Sequence, residues 1–263
     1  MFRSKIKTMF ISHLIVLFLF AFNNSAFGME LKISPFALYE QGKDDIYIDG
    51  IRTKYGLGVL GATVQANIEN GLEIYSRLGY GYHPNASVSL TVDGKSVAVK
   101  GPTSGNYRET GIRIPLWNKS DVFIISELRS TWRNVDADDL AGFASTRAIT
   151  GKAVNDFDSL DFLLTARFPL GETAFLSITG GRSDWHLTTN AVAYAETGGR
   201  GSLSCPCSYT KKVDAESSDP FFGISITSNN PMHNFSFELY NRSLKSKAGT
   251  SIIGFEAGYV YQF

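Results

Sequence analysis

The sequence predicts an all-β fold, a single closed antiparallel transmembrane β-barrel of about ten strands, with eight strands as the alternative count. Three observations lead to this prediction. Apolar and polar residues alternate along many segments of the 263-residue chain. Short turns alternate with longer loops, and no apolar run after residue 28 is long enough for a membrane-spanning helix. Closure is expected because lipid offers no water to the unpaired backbone groups of an open sheet edge.

The final segment, Phe255–Phe263, shows the alternation most clearly. Its aromatic residues fall on one face of an extended strand and its polar or small residues on the other: Phe255, Tyr259, Tyr261 and Phe263 against Glu256, Gly258 and Gln262. This ending resembles the C-terminal strand of bacterial outer-membrane β-barrel proteins, which typically finishes on Phe. The resemblance implies a Gram-negative outer-membrane location, contact with outer-membrane lipid and lipopolysaccharide, and recognition of this strand by the barrel-assembly machinery.

The first 28 residues have the organisation of a secretory signal peptide. Basic residues at positions 3, 5 and 7 precede the apolar run Ile11–Phe22, and Ala26-Phe27-Gly28 supplies small residues before a cleavage site. The apolar run is shorter than the roughly 20 residues that a membrane-spanning helix needs. We therefore expect cleavage after Gly28 and one barrel domain over residues 29–263.

Ten segments carry the two-residue period of a strand that has different surroundings on its two faces. They are Glu30–Glu40, Tyr55–Ile68, Leu72–His83, Tyr107–Trp117, Val122–Asn134, Asp158–Leu170, Thr173–Thr189, Phe221–Ser228, Phe235–Arg242 and the strand that ends at Phe263. The period breaks down in the seventh strand, where a bulge is expected near Gly180-Gly181. Asn70-Gly71 and Gly171-Glu172 predict tight turns.

Three longer segments are predicted as loops on the side of the membrane opposite to the tight turns. They are Pro84–Gly105, which contains a hairpin at Ser87–Lys100, Val135–Phe157 and Asn190–Ser218. This asymmetry is typical of short periplasmic turns and long extracellular loops.

The charged residues of the predicted strands fall opposite the apolar face and define a lumen charge network. Its members are Glu73, Arg77, Glu109, Arg113, Glu127, Arg129, Arg133, Asp161, Arg167, Glu238, Arg242 and Glu256. Every base in the set is arginine, whose fork of donors suits several carboxylates in a narrow space. A barrel of about eight strands is filled by its own side chains. We therefore expect a largely plugged lumen, with a narrow solute channel as the alternative.

Arg182, Asp184 and His186 occupy alternate positions near the loop end of the seventh strand. An aspartate can orient a histidine as a general base, so Asp184 and His186 are catalytic candidates. The pair resembles the Asp-x-His of the omptin outer-membrane proteases, which have ten strands and carry the pair near the top of the seventh. The resemblance implies a hydrolase, but omptins also need an acidic pair across the cleft. The matching segment, His83–Lys100, contains only Asp93.

Two further groups of residues lie in the predicted loops. Cys205 and Cys207 are expected to form a loop disulfide in an oxidising compartment, with capture of a soft metal as the alternative. The acidic run Asp136, Asp138 and Asp139 is expected to be solvated, with a divalent cation that bridges lipopolysaccharide as the alternative.

No sequence signature of a cofactor or a metal site is present, so neither is expected. The formal net charge is zero, which argues against nucleic acid as a partner, and we expect a monomer. The sequence thus favours a small, non-enzymatic outer-membrane barrel with a structural or surface-interaction role. An omptin-like hydrolase and a narrow solute channel are the alternatives.

Overall fold

The computed structural model describes eight ranges of the chain: 30–49, 51–68, 71–92, 95–119, 122–144, 147–195, 208–228 and 233–261. The predicted signal peptide lies outside the described residues, as do Cys205, Cys207, Asp93 and Phe263. The described part begins with the first strand, at Glu30.

Strands make up most of the described chain. Their bounds are β1 Glu30–Gly42, β2 Ile46–Ile48, β3 Ile51–Lys54, β4 Gly56–Asn67, β5 Glu73–Val92, β6 Lys95–Lys119, β7 Val122–Ala144, β8 Arg147–Pro169, β9 Ala174–Ala195, β10 Ser208–Ser228, β11 His233–Leu244 and β12 Thr250–Tyr261. A short helix, α1 Lys245–Ala248, lies between β11 and β12. Within the described residues, no helix is long and apolar enough to cross a membrane.

Ten of the strands close into one antiparallel barrel. β1 pairs with β4 through Phe36 and Gly61, and with β12 through Phe36 and Gly258. The pairing of β5 with β6, which begins at Glu73 and Arg113, completes the ring. The predicted ten-stranded barrel is confirmed, and the alternative count of eight is wrong. The remaining hairpin, β2–β3, is added beside β5.

The two-residue period turns an apolar surface outward. Along β1, Ile33 and Tyr39 are exposed, whereas Phe36 and Glu40 face the lumen and are buried. The outward surface continues around the ring with Leu60, Leu78, Tyr80, Ile114, Leu116, Phe162, Leu164, Ile178, Phe222, Ile224, Ile226, Phe235, Phe237, Leu239, Ile253 and Phe255. An apolar band of this kind is typical of barrels that are covered by lipid.

The two ends of the barrel differ. At the short-turn end, β4–β5, β6–β7, β8–β9 and β10–β11 are joined by a few residues each. Gly71 and Gly171 have φ values of +78° and +71° there, as the predicted tight turns require. At the long-hairpin end, β5–β6, β7–β8 and β9–β10 extend beyond the apolar band, together with β2–β3 and α1.

The segments predicted as long loops are largely strand. β5 and β6 continue through most of Pro84–Gly105, and β7 and β8 through most of Val135–Phe157. β9 and β10 enter Asn190–Ser218 from its two ends. Between Ala137 and Leu140 the register shifts, so the alternation is interrupted in the sequence although the strands stay paired.

The bulge predicted near Gly180-Gly181 is wrong. β9 pairs without a register shift with both β8 and β10 across this region. The apparent loss of period arises because neither glycine has a side chain to mark its face. Register shifts occur instead in β5–β6, β6–β7 and β7–β8.

A charge placed in the apolar band should destabilise the barrel, whereas the same charge above the band should not. We expect Phe237→Arg to lower the free energy of unfolding by about 2–4 kcal/mol, because Phe237 is exposed on the outer face near the middle of the band. Tyr194→Arg, on the outer face of the long-hairpin end, is the matched control and should change it by less than about 1 kcal/mol. Urea unfolding in lipid vesicles measures both. Equal costs for the two variants would contradict the position of the band.

Candidate functional site

The middle of the lumen contains a layer of buried and half-buried charged side chains, which we call the charge belt. Its members are Glu40, Glu73, Arg77, Glu109, Arg113, Glu127, Arg129, Arg133, Asp161, Arg242 and Glu256. The inward positions of β1, β5, β6, β7, β8, β11 and β12 supply them. The belt is built from four groups of hydrogen-bonded side chains.

The first group is centred on Asp161 of β8, which is fully buried. Its carboxylate accepts hydrogen bonds from Arg129 Nε at 2.9 Å, Arg242 Nη2 at 2.8 Å and Ser183 Oγ at 2.6 Å. The two guanidiniums come from β7 and β11, so this carboxylate links three parts of the barrel wall. Three donors, two of them charged, compensate the loss of hydration of this carboxylate.

The second group is centred on Glu40 of β1, which is also fully buried. Arg133 Nη2 donates to Glu40 Oε1 at 2.5 Å and Tyr55 donates to Oε2 at 2.8 Å. The Tyr240 hydroxyl also donates to Glu40. Arg133 lies over the ring of Phe157, with 4.9 Å between the guanidinium carbon and the ring centroid. The pair therefore crosses the lumen between β1 and β7.

The third and fourth groups line the side of the belt that faces the short-turn end. Arg77 donates to Glu109 at 3.1 Å and to Glu256 at 2.8 Å. Arg113 donates to Glu73 at 2.6 Å and to Glu127 at 3.1 Å. The tyrosine hydroxyls of Tyr107 and Tyr75 complete the groups by donating to Glu109 and Glu127.

Two glycines leave the space that the tyrosine rings fill. A Cβ added to Gly111 would lie 2.5 Å from the ring of Tyr75, and one added to Gly254 would lie 2.1 Å from the ring of Tyr240. Both distances are too short for a real contact. The small residue on one strand therefore permits the large residue on its neighbour.

All twelve residues of the sequence-predicted charge network lie on the inner face. The structure brings ten of them into the four groups and leaves Arg167 and Glu238 without an ion pair within the described residues. Sequence reasoning missed Glu40 and the four tyrosines Tyr55, Tyr75, Tyr107 and Tyr240. The signal for Glu40 was its spacing of two from Leu38 on the inner face of β1; Tyr75 similarly lies between Glu73 and Arg77.

Beyond the belt, toward the long-hairpin end, the lumen is apolar. Buried side chains pack there in one cluster that includes Ile46, Ile48, Ile51, Val88, Leu140, Ile149, Phe157, Trp185, Leu187, Leu244, Ala248 and Ile252. The hairpin β2–β3 supplies three of these residues. The segment that leads from β1 into this hairpin is attached to β12 by hydrogen bonds from the Lys43 backbone N–H to the Ser251 carbonyl at 2.8 Å and from the Asp44 N–H to Thr250 Oγ1 at 3.1 Å.

On the other side of the belt, a polar cavity of about 240 Å³ occupies the short-turn end of the lumen. Lys32, Gln65, Arg167, Thr227 and Asn234 line it near the strand ends. Belt residues such as Arg77 and Glu256 form its inner wall. Along its axis, the lumen therefore passes from a polar cavity through paired charges to an apolar core.

The candidate pair Asp184 and His186 lies on the outer face of β9. The residues between and beside them, Ser183, Trp185 and Leu187, are buried on the lumen face. Asp184 Oδ1 accepts a hydrogen bond from Arg182 Nε at 3.1 Å.

His186 is flanked by carboxylates from the two neighbouring strands. Its Nε2 lies 2.5 Å from Asp214 Oδ1 on β10, and its Nδ1 lies 3.7 Å from Asp158 Oδ2 on β8. The imidazole is thus held on the outer wall, just beyond the apolar band. In the part of the chain that the structure describes, no group of three or more histidine, cysteine, aspartate or glutamate side chains is arranged to hold a metal ion.

Asp136 and Asp138 of the acidic run on β7 also point away from the lumen at the long-hairpin end. Asp138 forms an exposed ion pair with Lys152 at 3.4 Å. Partial burial raises the pKa of Asp136 above its ordinary value, with a further contribution from the charges of Asp138 and Asp156. The side chain of Asp139 is not among those that the structure describes. This wall of the barrel therefore carries several carboxylates in addition to those around His186.

The aromatic residues of the predicted assembly signal lie on the outer face as far as the structure describes them. Phe255 is exposed and packs on Phe237 of β11, with ring centroids 6.3 Å apart. Tyr259 packs on Phe235 at 4.9 Å. The backbone of Tyr261 pairs with His233, and Phe263 lies outside the described residues.

Comparison with solved structures identifies the fold. The outer membrane protease OmpT from Escherichia coli matches over 89% of this chain and 96% of its own, with a TM-score of 0.55 and 13% sequence identity. The chain has the fold of a bacterial outer-membrane β-barrel. At this identity the likeness establishes the fold alone, which is the class that the alternating C-terminal strand predicted.

Two further barrels match less well. The translocator domain of the autotransporter NalP from Neisseria meningitidis covers 99% of this chain and 98% of its own, with a TM-score of 0.39 and 11% identity. The attachment invasion locus protein Ail of Yersinia pestis covers 89% and 99%, with a TM-score of 0.34 and 14% identity. No protein-family model and no curated protein matches the sequence.

Removal of one partner from the charge belt should destabilise the barrel strongly. We expect Glu40→Ala to lower the free energy of unfolding by about 3–5 kcal/mol, because Arg133 would remain buried without its carboxylate. Asp138→Ala, which removes an exposed carboxylate, is the matched control and should cost about 0.5 kcal/mol or less. Urea unfolding of the refolded barrel measures both.

The double variant Glu40→Leu/Arg133→Met tests the physical reason for that cost. It should be more stable than Glu40→Ala, since it removes both charges instead of stranding one. If the double variant is the less stable of the two, shape and not charge pairing governs this position.

Proposed function

We propose that this protein is a non-conducting barrel of the Gram-negative outer membrane, with a plugged lumen and a structural or surface-interaction role. The observation that carries the proposal is the sequence of layers in the lumen. Arg133, Asp161 and Arg242 are buried in the belt, and the apolar cluster with the hairpin β2–β3 lies directly beyond them. An ion would have to break buried ion pairs and then cross an apolar core. Both steps are unfavourable.

The outer face supports the proposed location. The apolar band matches the hydrocarbon layer of a bilayer, and Arg182 and Lys212 lie beyond it on the outer wall. Bases at this level can bind the phosphates of lipopolysaccharide. With the short turns in the periplasm, the paired hairpins of the long-hairpin end would form the part that meets the cell surroundings. Such a surface is suited to contacts with other molecules because the strands hold it rigid.

Planar-bilayer recording tests whether the lumen conducts. We expect no conductance from the refolded wild-type barrel. A variant in which residues 43–54 are replaced by a short Gly-Ser linker should also be closed, because the charge belt remains. The same variant with Arg129→Ser, Arg133→Ser and Arg242→Ser should conduct cations, since it leaves unpaired carboxylates in the belt. Steady wild-type conductance whose ion selectivity changes in Arg129→Ala would instead establish a narrow channel.

A hydrolase is the alternative function. It is supported by the fold shared with OmpT and by the two carboxylates beside His186. The position of His186 on the outer wall favours the non-enzymatic proposal, because a substrate there would meet an open surface and not a cleft. We expect the wild-type barrel, refolded with lipopolysaccharide, to leave a mixed peptide library uncut. Cleavage that disappears in His186→Ala and persists in His83→Ala would establish the hydrolase.

A further inference from the structure

The polar cavity at the short-turn end contains an arginine that the charge belt does not use. Arg167 of β8 lines this cavity, and no described carboxylate forms an ion pair with it. Its Nε is buried without a hydrogen-bond partner within the described residues. The charges that act on it are the repulsive Arg113 and, more weakly, Glu73. Glu73 already binds Arg113 at 2.6 Å, so Arg167 has no carboxylate partner among the described residues, although its guanidinium carbon lies 5.7 Å from the ring centroid of Phe175.

A second donor without a partner lies beside it. Ser177 of β9 is directly opposite Arg167 in the β8–β9 register and lines the same cavity. The Ser177 side chain is 2% exposed, and its hydroxyl has no hydrogen-bond partner among the described groups. Ser225 of β10 is opposite Ser177 in turn and also lines the cavity. Three donors therefore follow one another across neighbouring strands at one level of the lumen.

The row ends on a carboxylate. Glu238 of β11 is opposite Ser225, lines the cavity and forms no ion pair in the described part of the chain. At about 4.8 Å per strand, Arg167 and Glu238 are about 14 Å apart along the curve of the sheet. Along this row, the Arg167 end therefore carries a cation and hydroxyl donors, and the Glu238 end carries a carboxylate. The nearby hydroxyls of Thr165 and Thr179 bind each other at 2.8 Å and are satisfied.

We propose that this cavity binds a small oxyanion, a carboxylate or a phosphate group, on Arg167 and Ser177. A guanidinium and a hydroxyl that both lack acceptors match the acceptor oxygens of such a group. The cavity of about 240 Å³ holds roughly eight water volumes, enough for a small anion with some of its hydration. It lies at the short-turn end, so the ligand enters from the periplasm in the proposed orientation. The site is separate from the surface role proposed above and does not depend on it.

Glu238 narrows the class of ligand that the cavity can bind. Its carboxylate repels a second negative group at the far end of the row, so a ligand with one anionic end and a neutral or cationic remainder is favoured. Removal of Glu238 should therefore strengthen the binding of a simple anion, whereas removal of Arg167 should weaken it. A side chain that is only structural would not shift affinity in opposite directions at the two ends.

Isothermal titration of the full mature barrel in detergent micelles tests the site, with inorganic phosphate and acetate as separate probes in low-chloride buffer. We expect saturable binding of at least one probe at one site per barrel. Arg167→Gln should weaken it by about ten-fold or more, Ser177→Ala by a few-fold, and Glu238→Gln should strengthen it by a few-fold. Arg108→Gln removes an arginine that lies over Trp132 on the outer face, and this matched control should leave affinity unchanged.

The two probes distinguish a phosphate from a carboxylate ligand, because the preferred group binds at the lower concentration. The change in gel mobility between unheated and heated samples of each variant verifies that its barrel has folded. If Arg167→Gln does not fold, Ser177→Ala still tests the site. Absence of saturable binding of both probes up to tens of millimolar would overturn the proposal. So would wild-type affinity in Arg167→Gln and Ser177→Ala, or an equal loss in Arg108→Gln.

Discussion

Every charge that the strands turn into the middle of the lumen needs a partner, because a barrel of this width leaves little room for water there. Three of the ion pairs that meet this need connect strands that are not neighbours in the barrel. Glu40 with Arg133 joins β1 to β7, Asp161 with Arg242 joins β8 to β11, and Arg77 with Glu256 joins β5 to β12. These ion pairs cross the lumen and help to hold the cross-sectional shape of the barrel. The backbone hydrogen bonds, in contrast, connect only neighbouring strands.

The layers of the lumen follow from this constraint. Most of the charges and the tyrosine hydroxyls are paired within the belt, and the wall beyond it is lined largely with apolar side chains such as Leu140, Phe157 and Trp185. The wall on the other side keeps serine and threonine residues around a cavity that water can enter. The paired charges in the middle of the lumen and the polar cavity at one end are therefore parts of one arrangement. Arg167 and Glu238 also line this cavity, and neither forms an ion pair within the described residues.

The position of His186 shows why a shared barrel does not imply a shared site. A strand places successive side chains on opposite faces, so the position of one residue decides between lumen and outer wall. In β9 the lumen positions are taken by Ser183, Trp185 and Leu187, and His186 is left on the outside beside Asp158 and Asp214. Two residues at the right spacing on the corresponding strand do not by themselves establish which compartment they face.

The sequence by itself predicted the barrel class, a count of about ten strands and the inward face of the twelve charges in the network, because the two-residue period is a local property of each strand. It did not determine which of these charges pair with each other, because that depends on the register of every strand pair around the closed barrel. Glu40 was missed at the end of a predicted strand, and the hairpin at β7–β8 was taken for a loop because a bulge hides its period. Only the tertiary structure placed Arg133 on Glu40 and left Arg167 without a carboxylate partner among the described residues. Closure of the barrel brings such distant residues together, and a local sequence pattern does not indicate which residues will meet.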